Sequence, residues 1–193
     1  RQMCIRDRKN TAVPSSSGSY STPYTRIRHA MSIVDGVRSS SLDPVKRNNF
    51  EGIARLNRAF QFWTLVKRYG DVTWVSKKLD VADNDVVYGT RTNRDIVMDS
   101  VLADLDYAIA TISAQSGKLT WSKDLALAVK SDICLWEGTY CKYRTEAENG
   151  YAANEARAKK YLEACADASS KLIDKYPVGD NYQSLYNLSL IHI

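Results

Sequence analysis

Apolar residues recur at spacings of three and four along most of the chain, separated by short polar stretches, and this pattern predicts a succession of helices. The first runs from about Pro23 to Val37. Thr22 can cap it, Pro23 suits its first turn, and Tyr24, Ile27, Met31 and Val34 share one face. The second opens at Asp43-Pro44, a cap followed by proline, and runs to Tyr69, where Gly70 can end it. Its apolar stripe is Ile53, Leu56, Phe60, Trp63 and Val66. At 1.5 Å per residue it is about 39 Å long, a spine rather than a small packing helix.

Residues 71–90 lose the helical period and carry four aspartates and a glycine, which predicts an extended loop with room for a short strand. A third helix opens on a capping box, Thr92-x-x-Asp95, and buries Val97, Val101, Leu105, Ala108 and Ile112. A fourth follows Ser122 and runs to about Tyr143, with Leu125, Val129, Ile133, Trp136 and Tyr140 on one side. The fifth spans about Ala152 to Tyr176, where Pro177 stops it. Its alanines (Ala156, Ala158, Ala164, Ala166, Ala168) let a neighbouring helix approach closely. Phe60, Trp63, Leu105 and Trp136 are expected in the core. Helices joined by short loops predict an all-α fold of antiparallel pairs, stacked as a degenerate tetratricopeptide-like array because no strict 34-residue period exists.

Composition changes this picture little. Of 193 residues, 44% are hydrophobic and 25% charged, ordinary for a globular chain, and no apolar run approaches the roughly 18 residues needed to cross a bilayer. The net charge of +5 invites a nucleic-acid partner, but residues 1–9 alone contribute +3. The remaining basic residues are interleaved with acids, as in KKLDVADNDVV, so no basic stripe exists to follow a phosphate backbone. The terminal stretches 1–9 and 188–193 fit nothing around them and are read as tails foreign to the domain, which spans 10–187. Cys4 lacks a lipoprotein signal context and the N-terminus has no export signal, read here as a missing beginning.

Candidate chemistry is sparse. There is no GxGxxG, GxxxxGK[ST], HExxH or GxSxG. His29 sits within the first helix without an evident partner, and His192 lies in the terminal tail. Asp104 and Asp106 flank Leu105 and so point to different sides of a helix, which rules out a shared acid/base pair. Cys134 and Cys141 are seven apart on a helix, about 10 Å along its axis and too far for a disulfide. With Cys165 they read as small apolar residues, since neither CxxC nor a nearby histidine offers a metal set. Neither catalytic residues, nor a metal site, nor a cofactor is expected.

Several segments together resemble the SusD/RagB family, in its order and spacing over about residues 20–187. YTRIRHAMSIVDGV is similar to its Tyr-x-x-Ile-Arg helix, and ARLNRAFQFWTLVKRYGDVTWVSKKLD to its long helix ending Leu-Val-x-x-Tyr-Gly-Asp-Val-Pro. RTNRDIVMDSVLADLDYAIATI resembles the helix ending Asp-Leu-Asp-x-Ala, and ALAVKSDICLWEGTYCKY the helix ending Glu-Gly-Thr. YLEACADASSKLIDKYPVGDNYQSLYN resembles the stretch before a Tyr-x-x-Leu-Phe. Thr73 stands where proline is usual, and Asp132 where arginine is common.

The resemblance implies a lipid-anchored, surface-exposed outer-membrane component that captures glycans or peptides and hands them to a SusC-like TonB-dependent transporter. It implies a tetratricopeptide-like scaffold, with most of the ligand site built by an irregular second half. On that footing the chain is a fragment, lacking the N-terminal anchor and the C-terminal half. Trp74 and Trp121 fall in predicted connections, where an exposed indole could stack on a sugar ring, or could instead fold back over a helix end. Trp63 and Trp136 lie on apolar stripes and read as core. Two other functions fit the helical pattern: a tetratricopeptide-like adaptor for partner proteins, and a helical enzyme fragment whose catalytic residues lie elsewhere.

Overall fold

The computed structural model describes residues 16–80, 82–113 and 121–176. Within them the chain is all-α: α1 (Gly18–Arg38), α2 (Pro44–Tyr69), the single turn α3 (Asn84–Val87), α4 (Arg94–Thr111), α5 (Lys123–Tyr143), the single turn α6 (Glu146–Asn149) and α7 (Glu155–Ile173). None of these is long and apolar enough to cross a membrane.

α2 forms as the sequence predicts. The Asp43 carboxylate accepts from the Val45 and Lys46 amides, Pro44 fills the first turn, and Gly70 ends the helix at φ 69°. That conformation suits glycine because no Cβ opposes it. α1 begins five residues earlier than predicted, after Ser17 rather than at Pro23, which lies buried inside the helix. The extra turn is held by tertiary packing: Tyr20 sits 4.9 Å from Tyr24 and 5.2 Å from Tyr69 between ring centroids. The predicted capping box of α4 is also corrected. Asn93, not Thr92, caps the helix by accepting from the Asp95 amide, and the Thr92 hydroxyl accepts from the Trp74 amide instead. The Asp95 side chain is drawn away from the cap by arginines. α7 starts at Glu155 rather than Ala152, capped by Asn154, and ends before Tyr176; Pro177 lies outside the described residues.

Successive long helices run antiparallel. Ser17 meets Tyr69 and Arg38 meets Glu51 across α1 and α2. Asn49 meets Ser113, and Val72 bridges Thr92, across α2 and α4. Asp106 pairs with Lys130 and Arg94 with Glu137 across α4 and α5, while Ser131 bonds Ser169 across α5 and α7. The 71–90 connection is the expected loop, tied down by the Val72–Thr92 bridge, the α3 turn and the burial of Val72 and Val75.

The core differs from its predicted stripes where a helix has two neighbours. α2 lies between α1 and α4, so Ala59, Phe62 and Leu65 are fully buried alongside Leu56, Trp63 and Val66. The widened arc leaves Phe60, expected in the core, 42% exposed. In α4 the whole predicted stripe is buried. In α5, Ile133 is buried as expected, but Val129, Trp136 and Tyr140 are half-buried and Leu125 is exposed. Cys134, Gly138 and Cys141 instead face inward. Ala158 and Ala168 of α7 are buried, Ala164 half so, and Ala156 and Ala166 face solvent. A Cβ on Gly138 would lie 2.7 Å from the Leu162 Cγ, so this glycine sets how closely α5 and α7 approach.

Candidate ligand-binding site

Most charged side chains in the interior are spent on joining helices. Glu51 accepts from Arg38 and Arg55, at 2.6 and 2.7 Å, linking α1 to α2. The hydrogen bonds from Arg38 hold its carboxyl below the usual range, against the opposing effect of burial. Arg58 forms a two-pronged pair with Asp104 at 2.6 and 2.7 Å, joining α2 to α4. Arg94, with 2% of its side chain exposed, forms a second such pair with fully buried Glu137, joining α4 to α5. Asp95 accepts from both Arg94 and Arg144, and Asp99 from Arg157, Lys160 and Tyr161, which brings in α7. Burial pushes both carboxyls up, but the surrounding cations outweigh it and hold each below its ordinary value. Arg58, Asp104, Asp106, Lys130 and Glu137 all belong to the segments that carry the family resemblance. Those residues fasten the scaffold.

The same pairing bears on chemistry. Asp95, Glu137 and Cys141 place three possible ligand atoms within 4.8 Å of one another. Both carboxylates already hold guanidinium groups, and the Cys141 thiol donates to Glu137 at 3.1 Å, with burial pushing its pKa up to about 11. A cation entering there meets Arg94 and Arg144, so the trio does not fit a metal. Burial likewise raises the Cys134 thiol to about 12, far from a reactive thiolate. His29 faces solvent. Asp104 and Asp106 do point apart, one to Arg58 and the other to Lys130. His192 lies outside the described residues.

The two candidate tryptophans reach α2 from different sides. Trp74 is half-buried: its ring lies 4.3 Å from that of Phe62, tilted by 34°, and the Arg58 guanidinium stands 5.0 Å from it. Trp121 is 43% exposed, at the edge of a cavity of about 270 Å³ lined by Leu56, Asn57, Phe60, Gln61, Leu125 and Val129. Among the described residues, no charged side chain lines it. The Asn57 Oδ1 is buried without a hydrogen-bond partner, and Gln61, 5% exposed, makes no hydrogen bond among the described residues. Leaving a buried polar group unmatched costs about 1–3 kcal/mol, so the Asn57 oxygen beside this cavity requires a reason. The sequence reading missed Asn57, Phe60 and Gln61 as site residues. Their spacing of three and four places them on one helical face, but Phe60 looks like core until the neighbours of α2 are known.

An antiparallel array whose buried ions are taken up by its own joints, with an aromatic-edged cavity on its side, defines a helical scaffold domain. The chain belongs to the SusD-like family described as starch-binding and associating with the outer membrane, whose model matches residues 3–135. No curated protein matches it. Solved structures share the fold. A SusD-like protein from Bacteroides fragilis NCTC 9343 is 21% identical with a TM-score of 0.60, over 79% of this chain and 26% of that one. A laminarin-binding SusD-like protein is 16% identical with a TM-score of 0.59, over 78% and 30%. The protein BT4246 is 14% identical with a TM-score of 0.72, over 88% and 32%. The chain thus spans about a quarter to a third of the length of these structures.

Proposed function

We propose that this chain is the helical part, residues 10–187, of a surface-exposed, lipid-anchored outer-membrane protein. The whole protein binds an oligosaccharide or similar nutrient without altering it and delivers it to a SusC-like TonB-dependent transporter. The observation that carries this reading is the family match over residues 3–135, described as starch-binding and outer-membrane-associating. The scaffold supports it: its buried acids are matched by arginines, which leaves them poorly suited to proton transfer. Of the two candidate tryptophans, Trp121 offers the more open indole, while Phe62 and Arg58 occupy much of Trp74. The full-length protein, titrated calorimetrically with starch- and laminarin-derived oligosaccharides, binds at least one of them and returns it intact on product analysis. Cleavage of the bound glycan, or no binding to any, overturns the proposal.

A further inference from the structure

Three unlike features meet at the cavity beside Trp121. Its rim is aromatic and open: Phe60, Trp121 and Leu125 are each about 40% exposed, although large apolar side chains gain from burial. Its wall carries two amides: the Asn57 Oδ1 is buried without a partner, and Gln61 makes no hydrogen bond among the described residues. Among the described residues its lining holds no charge. Each feature narrows the ligand. An uncharged lining gives no electrostatic gain to a phosphate, a carboxylate or a metal ion. An amide supplies both a donor and an acceptor, the pair a hydroxyl group matches, because a hydroxyl is both as well. An aromatic rim offers a flat apolar face. A neutral sugar ring presents hydroxyls at its edge and C–H groups across its face, and so satisfies both kinds of surface at once. An engineered apolar cavity of about 150 Å³ holds benzene, so the 270 Å³ here suits one pyranose ring rather than an extended chain.

We infer that Asn57, Phe60, Gln61 and Trp121 form a binding subsite for a single neutral hexose unit, with the indole stacked on the ring and the two amides bonded to its hydroxyls. This rests on the glycan-binding function proposed above and adds a site on the helical scaffold itself. It also explains the unmatched Asn57 oxygen, which accepts a hydrogen bond from a sugar hydroxyl.

The four tryptophan indole N–H signals in a nitrogen–proton correlation spectrum report on the subsite directly, with the Trp121 peak assigned from Trp121→Phe. Maltoheptaose and laminarihexaose are titrated to about 20 mM, past the millimolar affinity expected of a lone subsite. The Trp121 signal shifts progressively with at least one of these glucans. Gln61→Leu weakens that binding by about tenfold or more, since the lost amide bonds have no substitute. The same variant melts at an unchanged or higher temperature, because Gln61 makes no hydrogen bond among the described residues that the change could break; a purely structural glutamine would lower it. Shifts confined to Trp74, no shift at all, or stronger shifts with N-acetylphenylalanine amide, an apolar peptide mimic, each overturn the subsite. If the full-length protein still binds glycans in those cases, only the subsite falls; if it binds none, both proposals fall.

Discussion

Glu137 shows what one residue does in this scaffold. It is fully buried, holds Arg94 through two hydrogen bonds and receives the Cys141 thiol. Such a pair adds little over well-packed apolar side chains, because both ions must leave water, but losing one partner strands the other's charge. Glu137→Gln keeps the shape and removes the charge opposite Arg94, leaving Asp95 as its remaining anion at 2.8 Å. Urea unfolding is expected to show a loss of about 3–5 kcal/mol. A loss below about 1 kcal/mol would mean that Asp95 alone neutralises Arg94. From sequence, Glu137 follows Ile133 by one turn, beside the predicted stripe, but its charge argues against burial until Arg94 is known to face it.

At the scale of the element, close approach of α5 and α7 depends on Gly138. A Cβ there meets the Leu162 Cγ at 2.7 Å, and the Ala158 carbonyl oxygen, which cannot rotate away, at 3.2 Å. Gly138→Val therefore separates the two helices and is expected to cost about 1–3 kcal/mol, read as a lower denaturant midpoint. Helix propensity acts in the other direction, since glycine is about 1 kcal/mol worse than alanine in a helix interior. A stabilised Gly138→Val variant would show that the packing yields and that propensity wins. The alanines of α7 were legible as a close-packing signal, yet only Ala158 and Ala168 are fully buried, because a helix shows one side to its partner.

Across the whole molecule, the ionic joints make stability depend on pH in a definite direction. Glu51, Asp95 and Asp99 have folded-state pKa values below their ordinary ones, owing to their arginine and lysine partners. Their contribution is complete above the unfolded carboxylate range of about 4 and is lost as pH falls through the lower folded values. Asp104 has the opposite sign: burial outweighs Arg58 and holds its carboxyl above the ordinary range, so protonation relieves it on acidification. With three groups against one, the urea midpoint is expected to fall below about pH 4. Asp99→Asn lowers the neutral plateau and makes that fall shallower. A midpoint that rises on acidification would show that burial at Asp104 dominates.

The all-α class, the limits of α2, the buried stripe of α4 and the family are all legible from the residues alone, because caps, prolines and helical periodicity act over a few neighbouring residues. So is the exclusion of shared acid/base work by Asp104 and Asp106, since their spacing on a helix fixes their divergence. Which faces of α2 and α5 are covered follows from the packing, because burial depends on how many helices lie against each and at what angle. That is why Phe60 left the core for the rim of a cavity, and why Trp74 packs against Phe62 while Trp121 remains open. The pairing of Arg94 with Glu137, 43 residues apart, belongs to the same class. A buried ion and its partner are chosen by distance in space, which local periodicity does not encode.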